Sequence, residues 1–150
     1  MEWIGLASTA LGALVGLAAT FVLDRERWRR ESDQRRRDDR RAVYTSFLAA
    51  TAEASEILIN IARGHDADAS ASSRAQTVIR DSRVLTRRLE LSLIAEQAVM
   101  EQANRLVDRL RDYRHVVGQG LAGDMEAVDQ ARMAYNDQRD QLVEVMRKTL

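Results

Sequence analysis

The chain of 150 residues contains neither cysteine nor proline. Without cysteine there is no disulfide framework and no thiolate metal site. Without proline, nothing removes a backbone donor from the middle of a helix, so long unbroken helices are permitted. Glycine is scarce as well: the seven glycines fall at 5, 12 and 16, at 64, and at 118, 120 and 123, so chain breaks are expected only around 64 and 118–123. Aromatic residues make up 5% of the chain, which points to a thin core of alanine and aliphatic side chains. Lysine is nearly absent too, with Lys148 the single example among many arginines. That bias, together with abundant alanine, reads as GC-rich coding.

Charge of one sign is also missing overall. The formal net charge is zero, yet residues 1–41 carry +2 and residues 42–150 carry −2. Basic charge is therefore concentrated near the start of the chain.

What is present, first of all, is an uncharged run at residues 3–23, WIGLASTALGALVGLAATFVL. As a helix it would span roughly 31 Å, which matches the ~30 Å hydrocarbon core of a bilayer. Nine of its residues are Leu, Ile, Val or Phe, worth roughly 3 to 5 kcal/mol of insertion if each were central, against small costs from Gly, Ser and Thr, so insertion is favoured by a narrow margin. The run predicts a transmembrane anchor over residues 1–23. Only Met1 and Glu2 precede it, whereas Arg25, Arg27, Arg29, Arg30, Arg35, Arg36, Arg37, Arg40 and Arg41 follow it. Arginine is retained on the cytoplasmic side, so the expectation is a single-pass protein of the plasma (inner) membrane, N-terminus outside and C-terminal domain inside. A cleaved secretory signal is the rival reading, but such a signal carries its positive charge ahead of the apolar run. Trp3 and Trp28 would lie about 37 Å apart along a helix, near the two headgroup layers that indoles prefer. With Arg25, Arg27, Arg29 and Arg30 they form the expected membrane interface.

Ser8, Gly12, Gly16 and Thr20 recur every four residues on one stripe of that helix. Small residues let two backbones approach closely in lipid, which predicts a homo-oligomer. A plain abundance of glycine in membrane helices would produce the same stripe.

Residues 24–41, DRERWRRESDQRRRDDRR, are polar on nearly every side. Glu26 with Arg30, Glu31 with Arg35 and Asp33 with Arg37 stand at i, i+4 with the acid first, the order that supports a helix. The anchor is expected to continue through this juxtamembrane helix as a charged rod. Arginine contact with anionic lipid fits it; the six interleaved acids argue against nucleic acid.

From Ala42 an apolar periodicity begins, and residues 42–150 are expected to form a cytoplasmic bundle. Val43, Phe47, Ala50, Ala54, Ile57 and Ile61 step by 4, 3, 4, 3, 4, and Gly64 provides a stop. Ser72 or Ser73 is a candidate N-cap for a second helix over about 74–90, with Val78, Ile79, Leu85 and Leu89 apolar. The period lapses near residues 91–94, where a kink or turn is expected; otherwise the second and third helices merge. The third helix, about 95–117, presents Val99, Ala103, Leu106, Leu110, Tyr113 and Val117. Asp124 is placed to cap a last helix over 125–148, whose face is Val128, Ala131, Tyr135, Gln138, Leu142 and Val145. The fold class is therefore all-α: a transmembrane helix, a charged rod, then an antiparallel three- to four-helix bundle or coiled coil.

The glycine- and tryptophan-bearing span, the arginine-rich segment ending in DDRRAVYTSFLAA, and the segment LELSLIAEQAVMEQANRL together resemble the uncharacterised small single-pass membrane proteins of actinobacteria and their phages. The resemblance bears on architecture and host type and implies no activity.

Chemistry is sparse. His65, Asp66 and Asp68 offer metal-type side chains in GHDADASASS, but a polar turn accounts for them; His115 lies near a helix end, where it packs or meets the dipole. There is no glycine-rich phosphate loop, GxSxG or HExxH. No catalytic residue, metal ligand or cofactor is expected, and the chain does not read as an enzyme. The function expected is that of a scaffold, adaptor or sensor subunit that oligomerises and binds an unidentified protein partner at the inner membrane face. The alternative is a holin-like phage lysis or membrane-perturbing factor. A small lipid or peptide held between bundle helices is a third possibility.

Overall fold

A computed structural model describes residues 34–64, 71–119 and 125–150, and among these every regular element is an α-helix. The anchor run, its stripe (Ser8, Gly12, Gly16, Thr20), the interface residues Trp3, Trp28, Arg25, Arg27, Arg29 and Arg30, and the turn with His65, Asp66 and Asp68 lie outside the described residues. So does the predicted cap, Asp124. Among the described residues no helix is long and apolar enough to cross a membrane.

The chain divides into two compact units, Met1–Asp39 and Arg40–Leu150. Of the first, residues 34–39 are described and are helical. The second holds α1 (residues 40–62), α2 (Ala71–Asp81), α3 (Val84–Ser92), α4 (Gln97–Gly118) and α5 (Met125–Lys148).

Helix α1 ends where the sequence places its stop: Gly64 adopts φ +71°, and its amide donates to the Ile61 carbonyl at 3.1 Å. Phe47, Ala50, Ala54 and Ile61 of the expected stripe are buried, and Tyr44, Thr51, Leu58 and Ile59 widen the seam. Val43 and Ile57 of the expected stripe are only half-buried. Thr51 is the polar member of that seam. Its hydroxyl donates to the Leu48 carbonyl at 2.9 Å, and once satisfied within its own helix it packs like an apolar residue.

The second predicted helix is two helices. The break lies at Ser82 and Arg83, with Arg83 in the left-handed region at φ 57°, ψ 22°. A non-glycine residue there carries no compositional signal. The two-residue turn resets the helical phase, so Val84 and Leu91 are buried while Leu85 and Leu89 are exposed. Ser72 is not a cap; helix α2 begins at Ala71, and the Ser72 hydroxyl instead donates to the Gly118 carbonyl at 2.8 Å, tying the start of α2 to the end of α4.

The lapse expected near 91–94 is a full turn. The amides of Leu93, Ile94 and Ala95 return to the Glu90 and Leu91 carbonyls, and α4 starts afresh at Gln97. The predicted α4 face is buried throughout: Val99, Ala103, Leu106, Leu110, Tyr113 and Val117, joined by Val107. On α5, Val128, Tyr135, Gln138 and Leu142 are buried as the heptad requires, while Val145 yields its place to Met146.

Side-chain ties set α1 antiparallel to α5 and bring the start of α4 to the same end of the bundle. Arg40 Nη1 at the start of α1 donates to the Thr149 carbonyl beyond the end of α5 (3.1 Å) and reaches Glu96 Oε1 (3.4 Å). The Tyr44 hydroxyl lies 3.1 Å from Thr149 Oγ1, which itself donates to the Met146 carbonyl, so Tyr44 is the donor. These helices enclose one core, centred on Phe47, Leu58, Leu106, Leu110, Tyr113, Tyr135 and Leu142.

Candidate binding surfaces

The phase reset at Arg83 leaves an apolar stripe facing solvent. Leu85, Leu89 and Leu93, spaced at i, i+4 and i+8, are 46, 66 and 79% exposed. Val84 and Leu91 anchor the opposite face of α3 in the core, so the stripe is held in place and not simply frayed. Its flanks are fixed as well: Arg87 donates to both Glu90 carboxylate oxygens (3.0 and 2.8 Å), and Arg88 Nε donates to Asn104 Oδ1 on α4 (2.7 Å). Met133 on α5 is the other strongly exposed large apolar residue among those described.

A different surface lies between α1 and α5, a cleft of about 330 Å³. Helix α1 supplies Ala52, Ser55, Glu56 and Ile59 to its walls, with Arg63 just beyond. Helix α5 supplies Arg132, Tyr135, Asn136 and Arg139, residues that share one face because they stand three, four and seven positions after the first. Arg139 is held by Asp140 at 2.9 Å.

Two buried tyrosines, Tyr135 in the wall of this cleft and Tyr113, have hydroxyls with no hydrogen bond of ordinary length. Burial pushes the Tyr113 phenol up to about 12, and the charges around it (Arg132, Asp129, Glu56 and Arg63) act in both directions. Burial also raises Tyr135, with the Thr51 hydroxyl and Arg139 working against it and Glu56 with it.

A third depression is formed by Gln76 on α2 with Arg114, His115, Gly118 and Gln119 at the end of α4. His115 is exposed in the last turn of α4, and its Nε2 lies 2.8 Å from Gln119 Nε2, so it does not pack in the core. Among the described residues no group of three or more His, Asp or Glu side chains is arranged to hold a metal.

Neither the leucine stripe nor the arginine-lined cleft was anticipated as a site from the sequence. The cleft had a signal: Arg132 and Arg139 bracket Tyr135 on one face of a helix. The stripe had none, because Leu85 and Leu89 look like core until the turn at Arg83 is known. No family model matches the chain, and no curated protein or solved structure is similar to it.

Proposed function

We propose that this chain is a non-enzymatic, membrane-anchored helical adaptor, whose bundle engages a protein partner at the inner face of the plasma membrane. The observation that carries the reading is the exposed row Leu85, Leu89 and Leu93 on a helix whose other face is locked into the core. Three leucines standing side by side on a small soluble domain are the kind of apolar patch that marks an interaction site. The i, i+4, i+8 spacing suits helix-against-helix recognition. Anchoring rests on residues 3–23 and on the arginines after them, as does self-association through Gly12 and Gly16.

The test has two arms. Alkaline extraction of membranes should leave the full-length chain in the pellet and release a chain lacking residues 1–23. A photo-crosslinker at Leu89 in cells should give one discrete adduct, lost when Leu85 and Leu93 are changed to Gln, while a crosslinker at the exposed Arg111 gives none. Release of the full-length chain by alkali, or no adduct at Leu89, defeats the reading.

A further inference from the structure

The cleft between α1 and α5 has a property the adaptor reading does not use. Arg63, Arg132 and Arg139 line it against the single acid Glu56, so its lining carries a net charge of +2. Arg63 and Arg132 form no ion pair among the described residues, whereas Arg87 pairs with Glu90, Arg111 with Asp108 and Arg109 with Asp112. Ser55 and Asn136 face the same space with no hydrogen bond from their side chains among the described residues. Under it lies the Tyr135 hydroxyl, fully buried, with the Thr51 hydroxyl as a polar neighbour but no hydrogen bond of ordinary length. Buried donors are normally satisfied at close range, so a hydroxyl without a close acceptor beneath a cationic lining leaves room for an acceptor from outside the chain.

We propose that this cleft binds the phosphate group of a small molecule or lipid headgroup. A phosphate monoester carries about −1.5 to −2 charge near neutral pH, close to the net charge of the lining. Guanidinium forks match phosphate oxygens in pairs, which suits Arg63 and Arg132 approaching from α1 and α5. Tyr135, Ser55 and Asn136 supply neutral donors for the remaining oxygens. The volume, about 330 Å³, stands at the small end of ligand pockets, so a phosphate with a short substituent fits and a large cofactor does not. Glu56 opposes the ligand and sets a limit on its affinity.

The experiment is calorimetric titration of the full-length chain in non-ionic detergent with inorganic phosphate, pyrophosphate, and short-chain phosphatidic acid in the micelle. Binding of at least one probe is expected, with one site per chain. R63Q and R132Q should each weaken it tenfold or more, E56Q should tighten it several-fold, and R111Q should leave it unchanged. Y135F should weaken binding while the ligand-free protein melts at the same temperature or higher, which separates loss of a ligand contact from loss of folding. Binding of phosphate or pyrophosphate identifies a soluble ligand, and binding of phosphatidic acid alone identifies a headgroup. Absence of binding by all three probes, or equal affinity in R63Q, R132Q and R111Q, overturns the proposal. The outcome is independent of the leucine stripe and of the anchor.

Discussion

Gln138 on α5 donates through Nε2 to Gln102 Oε1 on α4 at 2.7 Å, a polar tie within the α4–α5 face. Gln138 occupies a position that the heptad reserves for an apolar residue and is 8% exposed. A buried amide in such a seam destabilises if orphaned, but fixes the register of the two helices while paired. Gln102→Ala should therefore cost about 1–2 kcal/mol by leaving the Gln138 amide without its acceptor. Replacing both residues with Leu should return stability to within about 1 kcal/mol of the parent, since no orphan remains. Urea denaturation of the two variants distinguishes them. Equal loss in the single and the double variant would show that the hydrogen bond is incidental.

Arg83 holds a backbone conformation that costs an L-residue about 1–2 kcal/mol, and only glycine adopts it freely. Arg83→Gly relieves that strain at an entropic cost of about 0.5–1 kcal/mol, so stability should rise by up to about 1 kcal/mol. Arg83→Val, which is β-branched, should lower it. Thermal melts give the ordering Gly above Arg above Val; any other ordering removes the left-handed turn from the account of α3.

The same turn sorts the leucines of α3 into two classes. Leu91 is fully buried, and Leu91→Ala should cost about 2–5 kcal/mol through lost burial and the cavity left behind. Leu89→Gln should change stability by no more than about 0.5 kcal/mol, because most of that side chain is already in water. Chemical denaturation measures both. A costly Leu89→Gln would mean that α3 packs with the phase the unbroken helix predicts.

What the sequence made legible follows from where its period is undisturbed. The bounds of α5, the stop at Gly64 and the whole buried face of α4 could be read from apolar spacing and glycine alone. On α1 the spacing finds Phe47, Ala50, Ala54 and Ile61 but misses Thr51, which is polar by composition and apolar in effect once bonded to Leu48. The division of α2 from α3 was invisible, because the residue that makes the turn is an arginine. Both candidate surfaces depend on facts of that second kind: the stripe on the phase after Arg83, the cleft on which arginines remain unpaired when α1 and α5 come together.

Tyr113 ties pH to stability. Its phenol is raised to about 12 in the fold by burial, against roughly 10 in an unfolded chain. The folded state therefore holds its proton more tightly than the unfolded state does. The stability this contributes is fully present below about pH 10 and is lost as pH rises from there through about 12. Tyr135 is shifted in the same direction by the same cause and adds to the effect. In absorbance titration near 295 nm, the Tyr113 phenol should stay protonated while the protein is folded at pH 10–11, and ionise when it unfolds. Tyr113→Phe should flatten the alkaline fall in urea midpoint, and the change should be absent at pH 7. Ionisation of Tyr113 near pH 10 in the folded protein would show that water reaches it and that burial does not hold its proton.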